Sequence, residues 1–483
     1  MKSLSIPENK SFVGRTYELE KLESIGNMNE ASIIVMYGRR RIGKTELLEQ
    51  AFRKKNVLKF EGIEGLDEKE QLANTLRQLI LYINDSLPDI QTWDAFFRFL
   101  STYTAQGTWT IYLEELQWLA NYKGTLISQL KYAWDNYFRH NPKLLLILCG
   151  SAPSFMIEKV LQSRALYNRS QYEIPLKEFN IIEAKEFLKG RSDKEVFDAY
   201  LTVGGIPEYL KWVNRDYYLF LGLCKNSFTS GSFFSREYNR IFTSSLSKNS
   251  HYQKIIEKLS EKKFLSREEI ATTLKISSGG TLSSLLTDLE NCGFIEKYQS
   301  VNTGAKSALT RYAISDNYLY YYFKFIKPIE KNIDQGVYNQ NPKSALKTDS
   351  YYKWLCFSFE RWCRKYHYII AKILGFSGVN YTSGVFFSRA TDQTDKGYQI
   401  DLIFERADHV ITICEIKYLQ GKASKIVIDD FERKLTLFPN KKNKTIHKVL
   451  ICPEGVENSL LNASYFDNII TFSDLTDPRY WKG

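Results

Sequence analysis

No window of this 483-residue sequence approaches the roughly 20 uninterrupted apolar residues of a membrane span. Its opening stretch, "MKSLSIPENKSFVGR", has no apolar leader core. Both absences lead to the expectation of a cytoplasmic protein with no membrane partner. Cysteine is sparse: the seven thiols (Cys149, Cys224, Cys292, Cys356, Cys363, Cys414, Cys452) are odd in number and scattered, with no CxxC pair and no neighbouring histidines. That pattern excludes a disulfide frame and a zinc site, and the thiols read as small buried hydrophobes. There is no internal repeat and no low-complexity tract.

What is present is globular. Hydrophobic residues make up 43%, charged residues 25% and aromatics 14%, with 32 Tyr and 30 Phe, enough for several dense cores. The length implies roughly three domains of about 150 residues. The excess of 66 Lys and Arg over 55 Asp and Glu gives a net charge of +11. Charge alone is a weak indicator, but it favours an anionic partner, and DNA is the partner expected.

Along the chain, "ASIIVMY" (Ala31 to Tyr37), "WTIYLEELQWLA" (Trp109 to Ala120) and "LLLILCGSA" (Leu144 to Ala152) are short apolar runs separated by helical stretches, the alternation of a parallel α/β sheet. Residues 175–250 read as helical and end in a Ser/Asn-rich break. From Tyr252, three helices (Tyr252 to Leu259; Arg267 to Leu274, capped by Ser266; Thr281 to Asn291) precede two β-like runs, the order of a winged helix. The polar stretch "KPIEKNIDQGVYNQNPKS" reads as a linker. A helix over 350–374 and strands at 384–388, 400–405, 410–417, 448–452 and 468–472 make the last domain a second α/β unit.

The strongest motif is "GRRRIGKT", Gly38 to Thr45, which matches G-x-x-x-x-G-K-[ST] between a buried strand and a helix. Gly38 and Gly43 let backbone amides turn toward phosphates, Lys44 reaches the β and γ phosphates, and the Thr45 hydroxyl binds Mg²⁺. ATP and Mg²⁺ are therefore the expected cofactors. "TIYLEE" offers Glu114 to hold the metal and Glu115 to orient the attacking water. Ser151, just past a third strand, either senses the γ phosphate or caps the next turn.

On the third helix of the winged-helix pattern, Leu282, Leu285, Leu286 and Leu289 form an inner face, and Ser283, Ser284 and Thr287 a neutral outer one. A neutral face argues against base readout and for a lid or protein contact. Lys297, Lys306 and Arg311 on the wing remain available for phosphates.

In "GYQIDLIFERADHVITICEIKY" (Gly397 to Tyr418), Glu415 and Lys417 share a strand face. Asp401 joins them if the hairpin register has an even sum, which requires an odd-length turn around Ala407 and Asp408. Two carboxylates for Mg²⁺ and a lysine for water or phosphate are the residues of phosphodiester hydrolysis. Paired to one another, they are equally a structural ion cluster.

The order "FVGRTYELEKL", "YGRRRIGKTELL", the double acid, "CGSAPSFM", "LYNRSQYEIPL" and "VGGIPEYL" resembles prokaryotic AAA+/STAND-type P-loop ATPases that continue into a winged helix and a C-terminal PD-(D/E)XK nuclease-like domain. The resemblance implies a P-loop AAA+ core over 1–175, a helical lid over 176–250, a winged helix over 251–327 and an α/β restriction-endonuclease-like domain over 345–483. It places Phe12, Gly14 and Arg15 near the adenine and makes Arg169 an arginine sensor or finger. It also makes Glu360, in "FSFERW", an accessory metal ligand beside Asp401 and Glu415. Asn168 stands where the family has Gly, and Glu114 where it has Asp. The expected function is an ATPase coupled to a Mg²⁺-dependent nuclease-like domain acting on DNA, in defence or mobile-element biology. The competing reading is a nucleotide-controlled switch or scaffold with an inactive nuclease-like domain, working with a partner protein or as a homo-oligomer.

Overall fold

The computed structural model describes residues 2–83, 87–162, 172–246, 249–262, 264–298, 311–388, 397–440 and 442–481. Five strands, β1 (Ser32–Tyr37), β2 (Asn56–Glu61), β3 (Trp109–Glu114), β4 (Leu144–Gly150) and β5 (Tyr172–Pro175), form a parallel sheet in the order β2-β3-β4-β1-β5. Every residue of β4 is buried, as is every residue of β1 except Tyr37. Both faces are covered by helices, which is why these strands read as unbroken apolar runs. A parallel sheet aligns the C-terminal ends of its strands along one edge. The loop after β1, Glu114 at the end of β3 and Ser151 just past β4 are therefore neighbours by topology.

That loop feeds the Lys44–Phe52 helix through Gly43, whose φ of 87° is strained for any residue with a Cβ. A Cβ on Gly38 would collide with the carbonyl of Leu176, so the first glycine is needed for close approach.

Five helices between Ile181 and Ser245 follow the sheet. Then come helices His251–Glu261, Arg267–Leu274 and Gly280–Asn291, with three short antiparallel strands, β6 (Leu265–Ser266), β7 (Ile295–Tyr298) and β8 (Arg311–Ile314), in the order β6-β8-β7. Ser266 caps its helix in a reciprocal box with Glu269, and Leu282, Leu285, Leu286 and Leu289 are buried as their spacing predicts. The stretch expected as a linker is not one. It folds into short turns of helix, with Ile333 fully buried, and Asn339 Oδ1 accepts the Ser230 amide at 2.8 Å. Its polar composition hid an anchoring apolar residue, Ile333.

The last unit is a mixed sheet of β9 (Tyr381–Ser388), β10 (Tyr398–Arg406), β11 (Val410–Ile416), β12 (Thr445–Ile451) and β13 (Asn468–Ile470), ordered β13-β12-β11-β10-β9. The first two pairings of β9, β10 and β11 are antiparallel, and those of β11, β12 and β13 are parallel. One apolar core runs unbroken from the N-terminal sheet through the helical region to the C-terminal sheet, from Leu22 through Phe197 and Leu286 to Phe359 and Leu475. Six of the seven cysteines are buried and Cys356 is half-buried, all as free thiols. Among the described residues no helix is long and apolar enough to cross a membrane.

Candidate functional site

At the edge of the parallel sheet, Lys44 is buried and its Nζ donates to the carbonyls of Gly38, at 2.9 Å, and Arg39, at 3.2 Å. The Thr45 hydroxyl donates to Glu114 Oε1. The other oxygen of Glu114 lies 2.6 Å from Lys59 Nζ, which also reaches Glu49 at 3.1 Å. Burial pulls the Lys59 ammonium down, but Glu114 and Glu49 outweigh it and hold the group above its usual value. Lys59 sits on β2, whose register sets Glu61 opposite Glu114. Burial first, and then the Glu114 charge, push the Glu61 carboxyl up. Acidic groups therefore crowd this strand edge with one lysine among them.

Glu115 begins the next turn with φ 51°, and its Oε2 accepts from Ser151 Oγ and from Gln117 Nε2, both at 2.6 Å. Gln117 is fully buried and also donates to Ser151 Oγ at 3.1 Å. Sequence reasoning missed Gln117, because a glutamine two residues past an acid pair carries no signal until the strand order brings Ser151 beside it. The structure thus brings together Gly38, Gly43, Lys44, Thr45, Glu114, Glu115 and Ser151. Arg15 lies alongside, donating to the Ile42 carbonyl at 2.9 Å with its guanidinium 4.6 Å over Phe179. Burial holds that guanidinium below its usual value. Phe12 packs partly buried against the core, and Gly14 adjoins Glu183. Arg169 and Asn168 lie outside the described residues.

Two loop arginines that the motif leaves unspecified are ion-paired far down the chain. Arg39 pairs with Asp316, which caps the helix after β8, and Arg41 with Glu237 of the Phe233–Ser245 helix. Glu237 is buried and also accepts from the Tyr209 hydroxyl at 2.7 Å. The guanidiniums sit over Phe294 and Phe233 respectively.

The second cluster is in the C-terminal hairpin. The β10/β11 register pairs Leu402 with Cys414 and Glu405 with Ile411, an even sum that puts Asp401 opposite Glu415. Asp401 also sits at an irregularity in the β9/β10 pairing, between Ile400 and Ile403, the kind of bulge that re-aims a side chain. Asp401 Oδ1 accepts from Gln399 Nε2 at 3.0 Å. Burial and then the neighbouring Glu415 charge raise its carboxyl above the usual value. Glu415 is only 1% exposed, 2.8 Å from Lys417 and gripped on both oxygens by Lys434 at 2.9 and 2.8 Å. Lys434 comes from the Ile426–Leu437 helix, which sequence reasoning did not identify, and it also pairs with Asp430 at 3.1 Å. Burial lowers the Lys434 ammonium, but Glu415 outweighs this and the net direction is up.

These side chains line a cavity of about 370 Å³ together with Glu360. Glu360 has an ion-pair partner of its own. Arg364, one helical turn on, holds it at 3.5 Å, and among the described residues no group of three or more acid, histidine or cysteine side chains could hold a metal. The wing residues are also occupied: Lys297 pairs with Glu290 at 3.2 Å and Arg311 lies 4.4 Å over Phe264, while Lys306 lies outside the described residues. The outer helix face is less neutral than its own residues imply, because Arg267 reaches across to Ser283 Oγ at 2.7 Å.

Residues 12–213 match a family of ATPase domains found predominantly in Archaea. An uncharacterized protein of Methanocaldococcus jannaschii, MJECL04, is 28% identical over 358 residues, covering 74% of this chain and 77% of that protein. The uncharacterized ATP-binding protein MJ0423 of the same organism is 48% identical over 46 residues, 10% of this chain and 78% of its own length. Among solved structures, the Walker-type ATPase Paby2304 of Pyrococcus abyssi is similar with a TM-score of 0.48 at 18% identity, over 67% of this chain and 99% of that one. The phosphate loop, its paired acids and the parallel sheet that aligns them thus all fall within the stretch, residues 12–213, that matches this archaeal-type ATPase domain.

Proposed function

We propose that this chain binds and hydrolyses ATP with Mg²⁺ in its N-terminal domain and uses the nucleotide state to govern a C-terminal unit that acts on DNA. The observation that carries the first half is the meeting of Lys44, Thr45, Glu114, Glu115 and Ser151 at one sheet edge, supplied by the ends of three different strands. Thr45 and Glu114 are the oxygens that would hold the metal, which when bound neutralises charge building on the phosphates. Lys44 exchanges its two carbonyl partners for phosphate oxygens. Glu115 orients the attacking water, and Ser151 and Gln117 fix its direction. Glutamate at 114 has the reach of aspartate plus one methylene, and Thr45 already meets it.

For the C-terminal unit we read a nuclease-like fold in which Asp401 and Glu415 would hold the metal and Lys417 would act on water or phosphate. The unit of three helices and three strands before it is read as a winged helix that relays nucleotide state or contacts DNA. One observation favours a second reading: Glu415 is already neutralised by Lys417 and Lys434. In that case the hairpin is a structural ion cluster, and the protein is a nucleotide-controlled switch or scaffold. A plasmid-nicking assay with Mg²⁺, with and without ATP, separates the two. Cleavage lost in Asp401→Asn supports the nuclease. No cleavage of any DNA or RNA, together with no Mg²⁺-dependent shift in melting temperature, removes it.

A further inference from the structure

Beside the phosphate loop opens a cavity of about 800 Å³, large enough for a nucleotide, and its walls come from three parts of the chain. One wall is the ATPase domain itself: Arg15, Gly38, Ile42, Leu176 and Asn180. The wall across from it belongs to the C-terminal unit, with Lys365, Tyr366, Tyr368 and Lys372 from the consecutive helices Thr348–Lys365 and His367–Ile373, and Trp481. Gly293 and Glu296 of the three-helix unit complete it.

The two walls are fastened to each other. Lys365 Nζ lies 2.7 Å from Glu178 Oε1, and Glu178 Oε2 accepts the Gly205 amide at 3.0 Å. The hydroxyls of Tyr366 and Tyr200 are 2.8 Å apart, and Tyr200 donates to the Phe179 carbonyl at 2.8 Å. Phe179 in turn lies beneath the Arg15 guanidinium. The far wall is therefore part of the cavity's framework. Acids and bases along the lining nearly balance, which suits an uncharged, hydrogen-bonding, flat group better than a second set of phosphates. Aromatic rings and a lysine stem supply apolar surface for such a group.

We propose that the nucleoside end of ATP is seated in this cavity, between the ATPase domain and the C-terminal unit, so that Tyr368 and Lys372 take part in nucleotide recognition. The proposal rests on the ATP-binding reading above. It gives nucleotide occupancy a short route to the hairpin: Lys365 lines the cavity, and the residue before it, Arg364, donates to the Asp401 carbonyl at 3.3 Å.

The test is photolabelling of the full chain with 8-azido-ATP and Mg²⁺, with excess ATP as competitor, followed by peptide mapping. Labelling of residues 365–373 or 478–481 that ATP suppresses is the expected result. ATP-suppressible labelling confined to residues 12–213 overturns the proposal and leaves the ATP reading standing. If calorimetry detects no ATP binding to the wild-type chain, the ATP reading itself falls. Tyr368 is 45% exposed, so Tyr368→Ala leaves the fold intact, as an unchanged melting curve will verify. It should weaken ATP and ADP alike by roughly three- to tenfold, the size of one lost contact. Unchanged affinity for both nucleotides overturns the proposal.

Discussion

At the phosphate loop a lysine from the neighbouring strand, Lys59, sits 2.6 Å from Glu114; at the C-terminal hairpin a lysine from the neighbouring helix, Lys434, sits 2.8 Å from Glu415. The surroundings differ. Lys59 is shared between two acids, and the second partner of Glu114 is the neutral Thr45 hydroxyl. Glu415 meets two lysines, Lys417 and Lys434, the second shared with Asp430, and Asp401 leans on it as a further acid. Glu114 itself touches one lysine and a neutral hydroxyl, whereas Glu415 touches two lysines, so a cation adds more at the first carboxylate than at the second. The comparison teaches that two acids and a lysine are not by themselves a metal site; the count of cations around them decides how much a metal adds.

The largest effect should come from Lys44→Ala, which removes the ammonium facing the loop. ATP hydrolysis should fall by roughly 10²- to 10³-fold, with nucleotide affinity falling too by calorimetry. Normal turnover in that variant would show that the loop is not the hydrolytic site. Glu115→Gln should keep ATP binding and lose turnover by roughly 10²-fold or more, read as phosphate release under saturating ATP.

Next comes a pair of matched substitutions. Lys434→Met leaves Glu415 buried with one lysine and should cost about 3 kcal/mol in urea unfolding. Lys59→Met leaves the buried Glu114 with only the neutral Thr45 hydroxyl and should cost more, about 4 kcal/mol. Equal losses would erase the distinction between the sites, and recovery of the Lys434→Met loss by Mg²⁺ would show that the hairpin accepts a cation.

The smallest effect is a pH dependence. A carboxyl whose folded-state value lies above its unfolded value favours the protonated form on folding, so its ionisation costs stability at neutral pH. That cost vanishes as pH falls below the unfolded value near about 3.9. Asp401 is shifted up in this way, by burial and then by Glu415. Without metal, Asp401→Asn should melt above the wild type at neutral pH, with the gap closing as the pH falls through the carboxylate range. A gap that stays constant with pH would assign the difference to packing.

Much of the first site was legible because its chemistry is bound to local geometry. Gly38, Gly43, Lys44 and Thr45 sit within one turn between strand and helix, and only a few residue types tolerate that path. The placement of Asp401 opposite Glu415 was legible too, since a two-residue period fixes which side chains share a face. What stayed hidden depended on contacts across long separations. Lys434 reaches Glu415 from a helix 19 residues away, and Gln117 gains its role only when β4 brings in Ser151. Ile333 turned a polar stretch into packed structure, because a single apolar anchor, with Leu346 just beyond the stretch, suffices when a hydrophobic surface is waiting. Glu360 was placed by resemblance; it lines the same cavity as the two acids, and its own helix supplies the arginine beside it.

The arginine pairs of the phosphate loop carry a consequence for anyone who would cut the chain. The match to the ATPase-domain family ends at residue 213, yet Arg39 and Arg41 find their carboxylates at Asp316 and Glu237, both beyond it. A fragment ending where the likeness ends would keep the loop and lose both counterions, placing two bare guanidiniums beside Gly38 and Lys44. The matched ATPase domain and the carboxylates that neutralise its loop therefore have different borders in this chain, and a fragment meant to keep both pairs must reach past Asp316.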